Sequence, residues 1–351
     1  MSLLHGVGDF FAMDIGTNAL RLVQLTGDAQ HGFALMKYAY VPVDPKMVQD
    51  NSAAGKRKMG ETILGAVKQA GITTKNIAIG LPAGKTFTAI IEVPNAPKKQ
   101  LENTIKYEVD KYIPMSVDEA EFDYTILGVS PNDPAKAEVL LSSTSKDYAE
   151  NMMELIEGLG LNVIAQEPEP LAMARALLPV GSKEARMMID LGERSTDIVV
   201  MYEGVPRLVR SVPGGLSKLV KTVAQTLSVR EDQARRFILK FGLSQDKLEG
   251  QVFRAMEQDL ENFAQELTNS VRFFQTKYAN VPVIGIVLSG FAGVIPFIAE
   301  YMEAKTGIQT VQGNPWQLVQ VTPEQQQALM DVASEFSVAI GLAERSNDGE
   351  Q

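Results

Sequence analysis

The chain has 351 residues, 45% of them hydrophobic and 22% charged, enough for more than one domain with a sizeable core. Its formal net charge of -10 argues against nonspecific binding to nucleic acid or to anionic lipid. There is no cysteine and there are only two histidines, His5 and His31, which excludes disulfides and thiolate metal sites and argues against a multi-histidine metal centre or a Ser-His-Asp triad.

The opening stretch "MSLLHGVGDFFAMDIG" has no basic segment and carries Asp9 and Asp14 within its apolar run, so no secretory signal is expected. No apolar run approaches the roughly 20 residues that span a bilayer. The cytoplasm is the expected compartment. In "FFAMDIGTNALRLVQL", residues 10–25, two apolar runs flank Asp14-Ile15-Gly16-Thr17-Asn18, which predicts a hairpin with a short polar turn. "FALMKYAYVPV" continues as a third strand. Residues 46–70 place Met59, Ile63, Leu64 and Val67 at helical spacing, with Gly71 as the stop. "NIAIGLP" and "TFTAIIEVP" read as strands. "KKQLENTIKYEVDKYIP" reads as a helix with Leu101, Ile105, Val109 and Ile113 on one face. Strands over 121–129 and "AEVLLSSTS" follow, then the amphipathic helix "DYAENMMELIEGLGL", then a short strand and helix in "LNVIAQEPEPLAMARALLP".

After Gly181 the pattern restarts. "ARMMIDLGERSTDIVVMYEGVPRLVRSVPGG" reads as strand, polar turn, strand, turn at Glu203-Gly204, strand. A long helical stretch runs from Leu216 to Lys277. "VPVIGIVLSGFAGVIPFIAEYMEAKTGI" reads as strand, glycine turn and helix, with the first helical turn near Val294–Pro296. "NPWQLV" reads as a loop, "SEFSVAIGLAE" as a last helix, and "RSNDGEQ" as a polar, frayed tail. Such a restart implies duplicated, packed lobes.

Taken alone, each Asp-x-Gly turn is an ordinary hairpin turn. Together they deliver the same polar groups from two similar strand pairs. Gly16 and Gly192 permit a close approach of backbone N–H groups to an anion. The hydroxyls of Thr17, Ser195 and Thr196 can donate to phosphate oxygens. Asp14 and Asp190 would repel phosphate unless Mg²⁺ and its waters lie between. Ser289, Gly290 and Gly293 form a glycine turn that would suit a nucleotide at a helix N-terminus, or serve as a plain strand–helix connection.

These three segments, in this order, resemble the actin, Hsp70 and sugar-kinase superfamily. The resemblance implies an α/β, actin-like (ribonuclease H-like) two-lobed fold with duplicated sheet and helix cores and inserted subdomains. "LENTIKYEVDKYIPMSVDEAEFDY", "ELTNSVRFFQ" and "GNPWQLV" further resemble the PilM family, actin-like proteins of type IV pilus assembly. That resemblance implies a first core of 1–44, 156–185 and 333–351, and an inserted, FtsA-like subdomain of 45–155. It implies a second core of 186–215 and 282–332, and a helical insertion of 216–281. It implies ATP held by Gly16, Thr17, Asn18, Gly192, Ser195, Thr196, Gly214, Gly215, Arg235, Ser289, Gly290 and Gly293. It implies Mg²⁺ at Asp14 and Asp190, and Glu169, in "QEPEPLAMARAL", positioning an attacking water in a slow ATPase. It implies as partner the N-terminal cytoplasmic peptide of a PilN-like inner-membrane protein, in a groove beside the inserted subdomain. Tyr107, Tyr112 and Ile113 are candidates for that groove or core residues of one helix. Self-association is a further implied partner, and direct membrane insertion is not expected.

Three residues depart from the superfamily pattern. Phe291 stands within the glycine loop, where a positive φ would be costly unless its ring stacks on something. Arg235 stands near a place usually held by Glu, and Ile238 where Lys is usual. Three other readings stay open. A sugar-kinase-like enzyme would need an Asp base that no matching motif supplies. An FtsA-like membrane tether would need a basic amphipathic end, whereas the chain reads "AERSNDGEQ". A nucleotide-free scaffold would account for the departures.

Overall fold

The computed structural model describes residues 9–28, 31–329 and 332–345. His5 and the polar tail beyond Arg345 lie outside the described residues. The chain divides into two units, one running through Ala176 and resuming at Pro315, the other Leu177–Asn314.

The first unit begins with β1 (Phe10–Ile15), β2 (Ala19–Asp28) and β3 (Gly32–Pro42), an antiparallel meander. Alternation along β1 places Phe11 and Met13 on one face and Asp14 on the other. Phe11, Met13, Leu20 and Leu22 are buried against Met59 and Ile63 of α2 (Ala53–Ala70), which follows the short α1 (Pro45–Val48). The Ser52 hydroxyl accepts from the Gly55 N–H at 3.1 Å and starts α2, and Gly71, at φ 67°, ends it in the left-handed conformation that glycine adopts without strain. The apolar β4 (Asn76–Leu81) then pairs parallel to β1, with Met13 opposite Ile79.

An excursion of β5 (Thr86–Pro94), α3 (Lys98–Glu108), β6 (Ala120–Val129) and β7 (Lys136–Ser145) builds a separate three-stranded sheet in the order β5-β7-β6. The predicted stripe Leu101, Ile105, Val109 and Ile113 is buried against Ile91, Val93, Val139 and Leu141 on one face of that sheet. Helix α4 (Lys146–Glu157) leads back to β8 (Asn162–Pro168), parallel to β4, and α5 (Glu169–Leu177) follows.

The second unit repeats the opening. β9 (Ala185–Leu191), β10 (Ser195–Tyr202) and β11 (Val205–Pro213) form an antiparallel meander, with Glu203 and Gly204 both at positive φ in the tight turn. Helices α6 (Leu216–Leu227), α7 (Glu231–Phe241) and α8 (Gln251–Lys277) bury Val223, Ile238, Leu260 and Phe274 against Ile189, Ile198 and Leu288. β12 (Val283–Gly290) pairs parallel to β9. α9 (Ile298–Thr306) and β13 (Thr310–Gln312) complete the unit. The sheet order β11-β10-β9-β12-β13 matches β3-β2-β1-β4-β8 strand for strand. Back in the first unit come β14 (Val319–Gln320), paired to β3, then α10 (Pro323–Leu329) and α11 (Ser337–Ala343), which packs on β1 and β2.

Several elements differ from the sequence reading. Residues 45–81, read with the insertion, supply α1, α2 and β4, whose apolar strand completes the sheet of β1–β3. Residues 315–329, read with the second core, lie in the first unit. The helix expected from Val294 begins only at Ile298. A 3₁₀ turn over Phe291–Gly293 comes first, and Phe297, at φ 65°, interrupts the backbone. β13 and β14 have three and two residues, too few for any periodicity to show. Among the described residues no helix is long and apolar enough to cross a membrane.

Candidate functional site

The first polar turn is closed by the Gly16 N–H donating to the Ala19 carbonyl at 3.0 Å, and the Asn18 carbonyl accepts from Val43 at 2.8 Å. Gly16, Thr17 and Asn18 are partly exposed. Asp14 is buried and directly opposite Arg21 across the β1–β2 pair, with Arg21 Nη1 donating to Asp14 Oδ2 at 3.0 Å. The other terminal nitrogen of Arg21 pairs with Glu335, just before α11, and the Tyr40 hydroxyl donates to the same carboxylate at 3.3 Å. Burial pushes the Asp14 carboxyl above its ordinary range while Arg21 pulls it down. A Cβ on Gly16 would stand 2.6 Å from Arg21 Nη1, so the guanidinium lies directly against the turn. Arg21 and Glu335 escaped the sequence reading. Arg21, seven residues after Asp14, was visible as a cation in an apolar strand.

The second turn is held by the Gly192 N–H donating to the Ser195 carbonyl at 2.9 Å. Gly214 and Gly215 lie against it. The Gly214 N–H donates to the Arg194 carbonyl, and the Thr196 hydroxyl donates to the Gly214 carbonyl at 2.8 Å. A Cβ on Gly215 would meet the Gly192 carbonyl oxygen and stand 2.6 Å from the Glu193 carbonyl carbon, so only glycine fits. The Leu216 and Ser217 N–H groups, at the start of α6, donate to the Gly192 and Glu193 carbonyls at 3.0 Å. In this conformation Thr196 and the first N–H groups of α6 are engaged within the protein, while Ser195 is partly exposed.

The third segment joins the second turn through the parallel β9–β12 pair, with Ser289 opposite Asp190 and Gly290 opposite Leu191. Gly290, at φ 59°, brings its backbone so close that a Cβ would stand 2.6 Å from Asp190 Oδ1. Gly293 ends the 3₁₀ turn that follows. Gly290, not Phe291, takes the positive φ, so Phe291 sits unstrained under the Arg235 guanidinium, 5.8 Å from its ring centre. Arg235 also pairs with Glu193 of the second turn. A cavity of about 470 Å³ opens beside them, lined by Glu193, Ser217, Val220, Glu231, Asp232, Arg235 and Arg236. Ile238 is wholly buried and belongs to the core.

Glu169 opens α5 in the first unit. A Cβ on Gly80 would stand 3.0 Å from its Cγ, and its charge adds to the burial that pushes the Tyr148 hydroxyl up to about 12. Next to it, Glu167 is buried between Arg175 and Arg345, with Arg345 Nη1 at 2.9 Å. Burial would raise its pKa, but the two guanidinium groups outweigh that and hold it below the usual range.

Arg345 also lines two adjoining cavities of about 260 and 410 Å³. They lie along the face of the three-stranded sheet opposite α3, where Thr86, Asp123, Thr125, Leu140, Ser142 and Thr144 alternate away from the α3 core. Leu81, Gln166, Pro168 and Leu171 close the other side. The three residues named from sequence as groove candidates lie on or next to α3, on the other side of this sheet. Ile113 is in the α3 core, Tyr112 donates to the Glu92 carbonyl, and Tyr107 is 85% exposed. Helical spacing could not tell the two faces of this sheet apart.

Among the described residues no group of three or more His, Asp or Glu could hold a metal ion. Mg²⁺ in such a site would need phosphate oxygens and water as its remaining ligands. Asp14 already faces a guanidinium, whereas Asp190 lies opposite Ser289 and close against Gly290.

The family described as type IV pilus assembly protein PilM matches the chain over residues 12–347. A solved structure of a PilM–PilN type IV pilus biogenesis complex is similar, at 22% identity and TM-score 0.81, covering 96% of this chain and 98% of the other. The ethanolamine utilization protein EutJ from Carboxydothermus hydrogenoformans is similar at 15% identity and TM-score 0.57, over 96% and 89%. MreB5 of Spiroplasma citri bound to AMPPNP is similar at 9% identity and TM-score 0.52, over 94% and 96%. At these identities the likeness establishes the fold, which is actin-like as the sequence implied.

Proposed function

The chain belongs to the PilM family of type IV pilus assembly proteins, and we propose on that premise that it is a cytoplasmic scaffold that binds a nucleotide and a short peptide of an inner-membrane partner. The partner is a PilN-like protein, and its N-terminal cytoplasmic peptide lies in the groove along the three-stranded sheet. The observation that carries this reading is the pair of adjoining cavities between β6–β7 and the ends of β4 and β8. An extended segment suits them, because the floor is a strand face of hydroxyls and carboxylates around Leu140 and β6 is an edge strand.

The nucleotide reading is supported by the duplicated turns. Arg21, held by Asp14 and pressed against Gly16, offers positive charge at the first. Ser195 and the glycine backbone offer donors at the second, and Asp190 offers a carboxylate to Mg²⁺. Bound ATP would supply the phosphates that complete the metal's shell. Arg235, which lies over the Phe291 ring, lines the cavity in the second unit where a base would stack. Glu169 is the proposed water-positioning residue of a slow hydrolysis.

A second reading, a scaffold without nucleotide, is favoured by one observation: the first N–H groups of α6 and the Thr196 hydroxyl are already used inside the protein. Calorimetry separates the two. The full chain is titrated with ATP, with and without Mg²⁺, and with a synthetic peptide matching the partner's N-terminus. Peptide binding alone favours the second reading, and absence of peptide binding overturns the scaffold assignment.

A further inference from the structure

The two adjoining cavities of the first unit differ in what lines them. The smaller, of about 260 Å³, has the buried Leu81, Leu140 and Leu171 among its walls. The larger, of about 410 Å³, has Lys146, Glu150 and Met153 of α4. Glu121, Asp123, Gln166 and Arg345 line both.

Four carboxylates, those of Glu121, Asp123, Glu150 and Glu167, stand in this lining against two cations, Lys146 and Arg345. Glu167 is buried and Arg345 pairs with it at 2.9 Å, so that charge is met within the wall. Glu121, Asp123 and Glu150 are exposed. Asp123 Oδ1 accepts from the Tyr124 N–H at 2.8 Å, a neutral donor that leaves its charge in place. The Lys146 ammonium donates to the Asp118 carbonyl at 2.7 Å. Three exposed carboxylates therefore face solvent with one ammonium among them. A second group in the lining is incomplete. Gln166 Nε2 is shielded from solvent and has no hydrogen-bond partner among the described residues. A buried donor left unpaired is costly, and a peptide carbonyl would satisfy it.

Resting on the peptide reading of this groove, we propose that the cavity pair selects a basic extended segment. An apolar side chain seats against Leu140 and Leu171 in the smaller cavity. A Lys or Arg enters the larger one, with its charge towards Glu121 and Glu150 and its methylenes on Met153, which is 38% exposed. An extended chain turns alternate side chains to one face, so a single strand supplies both anchors. Complementary charge selects this partner, and the same carboxylates repel an acidic segment.

The test is calorimetry of the full chain with a synthetic peptide matching the partner's N-terminus. The same peptide is also prepared with its α-amino group acetylated, and with each Lys and Arg replaced by Gln. An exposed ion pair is worth up to about fivefold in affinity, so Glu121→Gln and Glu150→Gln should each weaken the native peptide about two- to fivefold. Glu150→Lys should weaken it further, and added salt should close the gap between wild type and variants. Glu157→Gln, on α4 but outside the lining, should bind as wild type does. The acetylated peptide should bind normally and the peptide without Lys and Arg weakly. Thermal melts should coincide, because the substituted side chains are exposed. Equal affinity of both glutamine variants and wild type for the native peptide overturns the proposal and leaves the scaffold reading standing. So does a loss confined to the acetylated peptide, or an equal loss in Glu157→Gln. Self-association of the chain that Glu150→Lys abolishes would make a second copy the occupant and also overturn it. Absence of peptide binding sinks the scaffold reading and this proposal with it.

Discussion

Arg21 faces Asp14 across the β1–β2 hairpin and reaches Glu335, 314 residues later in the chain, with its other terminal nitrogen. All three side chains are at least nearly buried. Breaking a buried ion pair by removing one partner costs about 3–5 kcal/mol, because the charge left behind stays desolvated. Arg21→Met should therefore destabilise the first unit by about that amount, read from urea unfolding. Glu335→Gln should cost less, since Asp14 still pairs with the guanidinium. If Arg21→Met unfolds at the wild-type midpoint, the network has no structural role.

Glu344 is 5% exposed, and both its carboxylate oxygens lack hydrogen-bond partners among the described residues. Burial raises its pKa from 4.5 to about 7, against the pull of Arg175. A raised folded-state value means that the folded protein holds a proton which the unfolded chain has lost. The stabilisation is complete below 4.5 and is lost as pH rises through about 7. At 1.36 kcal/mol per unit the loss is on the order of 3 kcal/mol. Asp197, raised to about 6, has the same sign over a lower window. Glu344→Gln should flatten the stability profile between these values and stabilise the protein at alkaline pH. A steeper profile in the variant contradicts the assignment.

Gly215 admits no side chain beside the Gly192 carbonyl. Overpacking of this kind costs typically about 1–3 kcal/mol. Gly215→Ala should lower stability within that range and push the second turn away from the start of α6. Faster amide exchange at Leu216 and Ser217, whose N–H groups the turn now holds, is the accompanying signal. Unchanged exchange at both amides would show that the turn tolerates the methyl group.

Thr125, on the edge strand β6, lines the cavity of about 260 Å³ proposed above as the peptide groove. Thr125→Arg should fill the groove and weaken the partner peptide at least tenfold, while surface substitutions of this kind shift stability by no more than about 0.5 kcal/mol. Tyr107→Ala, on the α3 side, should leave the peptide affinity unchanged. The reverse pattern would move the binding surface to α3.

Local patterning carried most of the architecture. The two Asp-x-Gly turns, the Leu101-Ile105-Val109-Ile113 stripe and the strand–turn–strand restart after Gly181 were legible because each signal spans a few residues with its own period or turn chemistry. That β7 is a strand was legible too, but not which side of it stays open, since Val139 and Leu141 on one face and Leu140 on the other are all apolar. The Phe291 strain expected from the glycine loop is absent because Gly290 absorbs the positive φ one residue earlier.

What the sequence determined by itself was the order of the elements and the residue types at the turns, since both follow from interactions between near neighbours. The tertiary structure alone decided the electrostatics: that Arg21 bridges Asp14 and Glu335, that Asp197 is buried with only Ser211 to pull its carboxyl down, and that Arg235 lies over Phe291 and pairs with Glu193. The energy of a buried charge depends on which partner comes within a few ångströms, and strand register and chain return, not spacing along the chain, bring that partner there.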